Sequence, residues 1–144
     1  MATQYTAGLT SGQVLTAATM NSIGATWETW TPTISSSAGT ITSGSLVRAR
    51  YCRIQKLIVA RFEYTIGTAG TAAGSYLDFT LPVTATTNWG GGCSMGFGRE
   101  YNLTGWHLNV WLISTTSGRV GVYENSGVIQ NSRFISAEVI YEAA

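Results

Sequence analysis

Charged side chains are scarce in this chain of 144 residues, because Asp, Glu, Lys and Arg together make up only 10% of it. A typical soluble domain is about 25% charged, so uncharged polar groups must form most of the surface here. The formal net charge is only +1. Such a balance gives no basic surface for nucleic acid or for an anionic membrane, and we expect neither as a partner.

Side chains suited to catalysis or metal binding are also few. The sequence contains one histidine, His107, one aspartate, Asp78, and two distant cysteines, Cys52 and Cys93. The spacings of zinc ligands, of phosphate-binding loops and of a serine nucleophile elbow are missing. We therefore predict no metal, no cofactor and no enzymatic activity. The cysteines are interpreted as small apolar residues, and a disulfide requires their Cα atoms to lie within about 7 Å.

Long apolar runs are missing as well. No stretch approaches the ~20 apolar residues that a membrane helix needs. The first residues, MATQYTAGLTSGQ, lack the basic and apolar regions of a secretory signal. We expect no membrane association, and synthesis in a reducing cytosol.

Threonine, serine and glycine are abundant, with 21, 14 and 17 residues respectively. From Trp27 onward, large apolar residues alternate with polar ones, which is the period of a half-buried strand. Candidate strands cover residues 46–53, 57–66, 76–81, 106–114, 119–124 and 134–142. Seven to nine strands with turn signals about every ten residues predict an all-β fold, an antiparallel, jelly-roll-like β-sandwich over residues 27–144.

Residues 1–26 differ from the rest because they are small, polar and uncharged in their side chains. Thr16 is a candidate N-cap for one short helix over residues 17–23. Such a helix is too short to be stable alone. We predict an extended N-terminal assembly arm that docks on a neighbouring subunit and buries four apolar side chains, Val14, Leu15, Met20 and Ile23.

Five of the eight cations fall within one predicted hairpin: Arg48, Arg50, Arg53, Lys56 and Arg61. Arg48 and Arg50 share a strand face, and Arg61 and Glu63 share one on the next strand. A solvated face is one interpretation. The sharper one is a subunit interface formed by Arg48, Arg50, Arg61 and Glu63, with Glu138 of a neighbouring copy as a further acidic partner. Nucleic-acid binding ranks third, since no aromatic residues interleave on the same face.

Three aromatic residues in or beside loops are candidate contacts for a sugar ring: Trp89, Tyr101 and Trp106. Folding of each ring back onto its own domain is the competing interpretation. His107 is interpreted as an ordinary strand residue. Glycoside hydrolysis needs two carboxylates about 5–9 Å apart, and Asp78 with a glutamate is the pair that this chain offers.

The order of several segments resembles that of small virion proteins of tailed bacteriophages, namely minor tail, tail-fibre and capsid-decoration proteins. The matching segments cover roughly residues 8–83 and the C-terminal residues: GQVLTAATMN (12–21), WETWTPT (27–33), ARYCRI (49–54), GTAGTAAGS (67–75), LPV (81–83) and VIYEAA (139–144). One departure is Ile54-Gln55-Lys56, where such proteins usually carry a glycine. Residues 93–133 match no segment of these proteins.

The resemblance implies a non-enzymatic structural protein on the virion surface, made in the host cytoplasm. It also implies a β-sandwich that is often trimeric, with other virion proteins, capsid or tail, as partners. Capsid decoration and tail attachment both remain open. The alternative function is a receptor-binding module that recognises host-surface glycan through the loop aromatics.

Overall fold

The fold is described for residues 26–144 by a computed structural model. The predicted arm helix and its four apolar residues, Val14, Leu15, Met20 and Ile23, lie outside these residues. The strands are β1 (Glu28–Thr29), β2 (Ile34–Ser36), β3 (Ser43–Ile54), β4 (Leu57–Thr68), β5 (Leu77–Thr80), β6 (Ser94–Glu100), β7 (His107–Ser114), β8 (Ser117–Val122), β9 (Ser126–Gly127) and β10 (Arg133–Glu142). Within this range the helical structure is one 3₁₀ turn, Gly70–Ala72. No helix there is long and apolar enough to cross a membrane.

All strands pair antiparallel in one sheet, in the order β1-β3-β4-β10-β6-β7-β8-β5-β2, and β9 adds to β8. The prediction of an all-β, antiparallel chain is confirmed. The predicted two-sheet, jelly-roll-like sandwich is not confirmed, because the described strands form one continuous sheet. Period-two alternation identifies the buried face of each strand but does not distinguish two packed sheets from one curled sheet.

The sheet curls into a half-barrel, as two phenylalanines show. Phe62 lies on β4 and Phe79 on β5, five positions apart in the strand order, so a flat sheet would separate them by roughly 24 Å. Their ring centroids are 4.8 Å apart. Trp30 joins both rings edge-on, at 6.0 Å from Phe62 and 6.3 Å from Phe79. The core therefore lies inside the curl.

Alternation along β4 and β10 explains how that core is filled. On β4, Ile58, Ala60, Phe62, Tyr64 and Ile66 are all buried, as their spacing predicts. β10 lies between β4 and β6 and contributes a second buried row, Ile135, Ala137, Val139 and Tyr141. The residues between these positions face outward, so the outer face of the same strands carries the polar side chains.

The β3–β4 hairpin turns at Gln55 and Lys56, between the paired residues Ile54 and Leu57. Gln55 has a φ of 53°, in the left-handed region that favours glycine. The predicted tight connection is therefore present, with a glutamine in a conformation that a side chain disfavours.

Two glycines let β6 approach the backbone of β10. A Cβ placed on Gly98 would lie 2.5 Å from the carbonyl oxygen of Ser136, and one on Gly96 would overlap the carbonyl oxygen of Glu138. The alternation of small and large residues in 93–99 predicts such a close approach. Side chains at these two positions would push β6 away from the central strand.

Gly96→Ala should lower the free energy of unfolding by about 3 kcal/mol, because the added methyl group must displace the backbone of β10. Urea unfolding followed by tryptophan fluorescence measures the change. Gly90→Ala is the matched control, since a Cβ there has no neighbour within 4 Å and should change stability little. Equal stability of the two variants would contradict the packing described.

Candidate functional site

An open groove of about 700 Å³ lies on the outer face of β3, β4, β10, β6 and β7. Three residues of the underlying strands, Phe62, Gly98 and Ala137, also line it. Its walls carry both charged and aromatic side chains: Trp27, Arg48, Arg50, Arg61, Glu63, Phe97, Arg99, His107, Ser136 and Glu138.

Strand register produces this arrangement. Across five strands, Arg48 pairs with Glu63, Glu63 with Ser136, Ser136 with Arg99 and Arg99 with His107. A second row runs beside it, from Arg50 through Arg61 and Glu138 to Phe97. Side chains of directly opposed residues lie on the same face, about 5 Å apart, so each row forms a continuous ladder across the groove.

Two ion pairs join directly opposed residues in these two rows. Arg48 Nε lies 2.8 Å from Glu63 Oε2, and Arg61 Nε lies 2.5 Å from Glu138 Oε2. Both arginine side chains are largely exposed, at 72% and 63%, so each pair stabilises the fold by at most about 1 kcal/mol. The acidic partners predicted for this stripe, Glu63 and Glu138, are thus both bound within the chain.

Two other arginines keep their charge available. Neither Arg50 nor Arg99 forms an ion pair with a carboxylate of residues 26–144. Arg50 Nη2 donates to the carbonyl oxygen of Trp27 at 2.9 Å. With four arginines and two glutamates along its walls, the groove has a net charge of +2 when its histidine is neutral.

Aromatic rings flank the groove at both ends. The guanidinium of Arg61 lies 5.7 Å from the centroid of the Trp27 ring, at the β3 side. At the β7 side, the rings of Phe97 and His107 stack with centroids 6.2 Å apart and an interplanar angle of 11°. Phe97 is 55% exposed, which is high for a phenylalanine in a strand centre. Both ends therefore offer an apolar surface beside a cation.

The structure brings together all four predicted interface residues, Arg48, Arg50, Arg61 and Glu63. The sequence pattern did not identify the other half of the site, namely Trp27, Phe97, Arg99 and His107. The alternation of Phe97 and Arg99 with small residues was the available signal, since it marks one strand face. Local alternation does not reveal that β10 places that face beside β4.

The three predicted sugar contacts do not form one platform. Trp89 precedes β6 and is 53% exposed, whereas Tyr101 and Trp106 lie in the loop that follows β6. The seven residues of β6 separate the two sites by roughly 20 Å. The rings of Tyr101 and Phe134 pack with their centroids 4.3 Å apart, and Trp106 is partly buried against the core.

A buried carboxylate fixes the loop that carries Tyr101. Glu100 is fully buried and accepts hydrogen bonds from the backbone N–H groups of Asn102, Leu103, Thr104 and Gly105 and from the hydroxyl of Thr104. Burial alone would raise the pKa of this carboxyl. The hydrogen bonds outweigh burial and lower the pKa from 4.5 to about 2.

Arg133, the first residue of β10, is a second buried charged residue at the same end of the sheet. It is buried, its guanidinium lies 4.3 Å from the centroid of the Trp106 ring, and it donates to the carbonyl oxygen of Val128 and to Gln130 Oε1. Burial lowers the pKa of this guanidinium, and the charge of Glu100 opposes that shift. Trp106 thus covers a buried cation rather than presenting a free ring.

Asp78, the candidate carboxylate for hydrolysis, is bound by an arginine. Arg119 donates to both oxygens of Asp78, at 2.6 and 2.8 Å, and this bidentate contact raises the pKa of Arg119. Cys52 and Cys93 are both free, with Cys52 buried. Residues 26–144 contain no group of three or more His, Cys, Asp or Glu side chains that could hold a metal ion.

Glu100 should make stability depend on acid. Its folded pKa is depressed, so its stabilising contribution is complete above pH 4.5 and declines as the pH falls toward about 2. Glu100→Gln should lower the free energy of unfolding at pH 7 by about 2 kcal/mol, because an amide NH2 replaces one carboxylate oxygen and leaves the donors that face it without an acceptor. Chemical unfolding at pH 7 and pH 2.5 measures the difference, which should shrink at low pH.

Glu124→Gln is the matched control for this prediction, since Glu124 is exposed and accepts a hydrogen bond only from the hydroxyl of Tyr123 within the described residues. It should leave stability nearly unchanged at both pH values. A difference between Glu100→Gln and the unmodified chain that is the same at both pH values would contradict the assignment of the ionised carboxylate.

Comparison with known proteins identifies no relative of this chain. No protein-family model, no curated protein and no solved structure matches this chain.

Proposed function

We propose that the chain is a non-enzymatic structural protein on the surface of a tailed-phage virion. Residues 1–26 would form the arm that attaches it to a neighbouring capsid or tail protein. The curled sheet would be the displayed domain, its two halves packed face to face as the layers of a sandwich are. Association of three copies belongs to the same proposal.

The observation that best supports a structural role is that most carboxylates are already bound by donors within the described residues. Six of the seven acidic side chains are bound within the described residues. Three pair with arginine, Glu100 binds backbone N–H groups, and Glu28 and Glu124 each accept from a tyrosine hydroxyl. A carboxylate already bound by donors within the fold is poorly placed to contact a substrate and transfer a proton. These groups stabilise a fold instead.

The position of β1 supports the arm. β1 is the outermost strand of the sheet path and contains two residues, Glu28 and Thr29. Residues 1–26 lead directly into this edge and carry no charged side chain. Their apolar side chains, Val14, Leu15, Met20 and Ile23, would contribute about 1.5–3 kcal/mol each if fully buried against a partner.

Deletion of residues 1–26 should leave a folded domain that no longer attaches to the particle. Within residues 26–144 the buried core begins at Trp30, so we expect circular dichroism and the melting temperature to change little. Co-sedimentation with particles that lack this chain measures attachment. A truncated chain that still co-sediments would contradict the arm.

The copy number per particle should separate the two locations. Quantitative mass spectrometry of purified virions would give a count comparable with the major capsid protein for a decoration protein, and a few copies for a tail protein. Native mass spectrometry of the isolated full chain should give three times the 15.3 kDa subunit mass. Absence of the chain from purified virions would contradict the whole proposal.

A second candidate function is recognition of host-surface glycan. The observation that favours it is the groove, where exposed rings share one face with two arginines that form no ion pair within residues 26–144. The predicted platform of Trp89, Tyr101 and Trp106 is divided between the two ends of β6, so the groove is the better place for a saccharide. A virion protein can perform both functions, since attachment and recognition use different parts of the chain.

A further inference from the structure

We propose that the groove on the outer face of β3, β4, β10, β6 and β7 binds a carboxylated oligosaccharide, one built from uronic or sialic acids. The proposal rests on the second candidate function for its biological setting. The binding itself is a property of the isolated chain. It can therefore fail or succeed independently of a virion location.

Size and shape fit a short saccharide. The groove volume of about 700 Å³ lies within the range of roughly 300–1,000 Å³ that is typical of small-molecule sites. Arg50 on β3 and Arg99 on β6 stand three strand spacings apart, or roughly 14 Å between backbones. A ligand that spans this distance is an oligosaccharide rather than a single sugar.

Each end of the groove combines a cation with a ring. Arg50 lies beside Trp27, whose carbonyl it binds, and Arg99 lies two residues from Phe97 on the same strand face. A guanidinium can hold a carboxylate through two parallel hydrogen bonds. An exposed aromatic ring gives the apolar face of a sugar a surface to stack on. An acidic sugar needs both of these contacts.

The carboxylates between the two ends decide which anion fits. Glu63 and Glu138 line the middle of the groove and are bound to Arg48 and Arg61. They accept hydrogen bonds from hydroxyl groups but repel densely charged anions. A phosphate backbone or a run of acidic side chains would place negative charge directly against them. An oligosaccharide with one carboxylate per sugar can turn hydroxyl groups toward the two glutamates and carboxylates toward Arg50 and Arg99.

The experiment is a titration of the full-length, ¹⁵N-labelled chain with uronic-acid and sialic-acid trisaccharides, each compared with its methyl ester. Esterification removes the charge and preserves the rings. We expect at least one acid to shift the indole N–H signal of Trp27 and the amide signals of Phe97 and Arg99. Its ester should bind at least tenfold more weakly. Raising the salt concentration should weaken binding of the acid more than binding of the ester.

Two variants locate the contact. Arg99→Gln removes a cation that has no carboxylate partner among the described residues, so the fold should persist while affinity for the acid falls at least tenfold. Lys56→Gln is the matched control, because it removes the same charge at the exposed β3–β4 turn, outside the groove. It should leave the affinity unchanged.

Three results would overturn the proposal. One is the absence of signal shifts with every acid in the panel at 10 mM, roughly the weakest binding of interest. Another is equal binding of a glutamate-rich peptide of matched charge, which would indicate an acidic protein partner. The third is dissociation of an oligomer by Arg99→Gln without any sugar binding, which would make the groove a contact between copies of this chain.

Discussion

The contact of Trp30, Phe62 and Phe79 inside the curl is the constraint on which the rest of the structure depends. These rings come from the segment after β1, from β4 and from β5, and they join the two far parts of one sheet. Burial of each ring contributes about 1.5–3 kcal/mol, with a further 0.5–1.5 kcal/mol for each aromatic pair. A sheet that did not curl would leave all three rings in water.

The curl also determines which chemistry is possible on the outside. Because one face of every central strand is buried in the core, the alternate residues of β3, β4, β10, β6 and β7 share the opposite face. Arginines and glutamates at those positions meet only because these five strands are neighbours. The groove is thus a product of strand order, and the same residues on differently ordered strands would not form it.

The sequence predicts which face of each strand is buried better than it predicts which strands are neighbours in the sheet. Alternation identifies the buried row of β4 and the close approach of Gly96 and Gly98, since both are local properties. The closure into one curled sheet and the second half of the groove depend on pairing between residues distant in the chain, such as Glu138 with Phe97. Glu100 carries no distinctive sequence signal, because its donors are backbone groups of the following loop.

The central position of β10 has a consequence for how the molecule is made. β10 follows all other strands in the chain, yet it pairs with β4 on one side and β6 on the other. Until residues 133–142 leave the ribosome, β4 and β6 each present an unpaired edge, and such edges are prone to pair with other chains. Contacts between distant residues also form slowly. The sheet can therefore close only once residues 133–142 have been made, and a chain interrupted before residue 133 would lack the strand that joins β4 to β6.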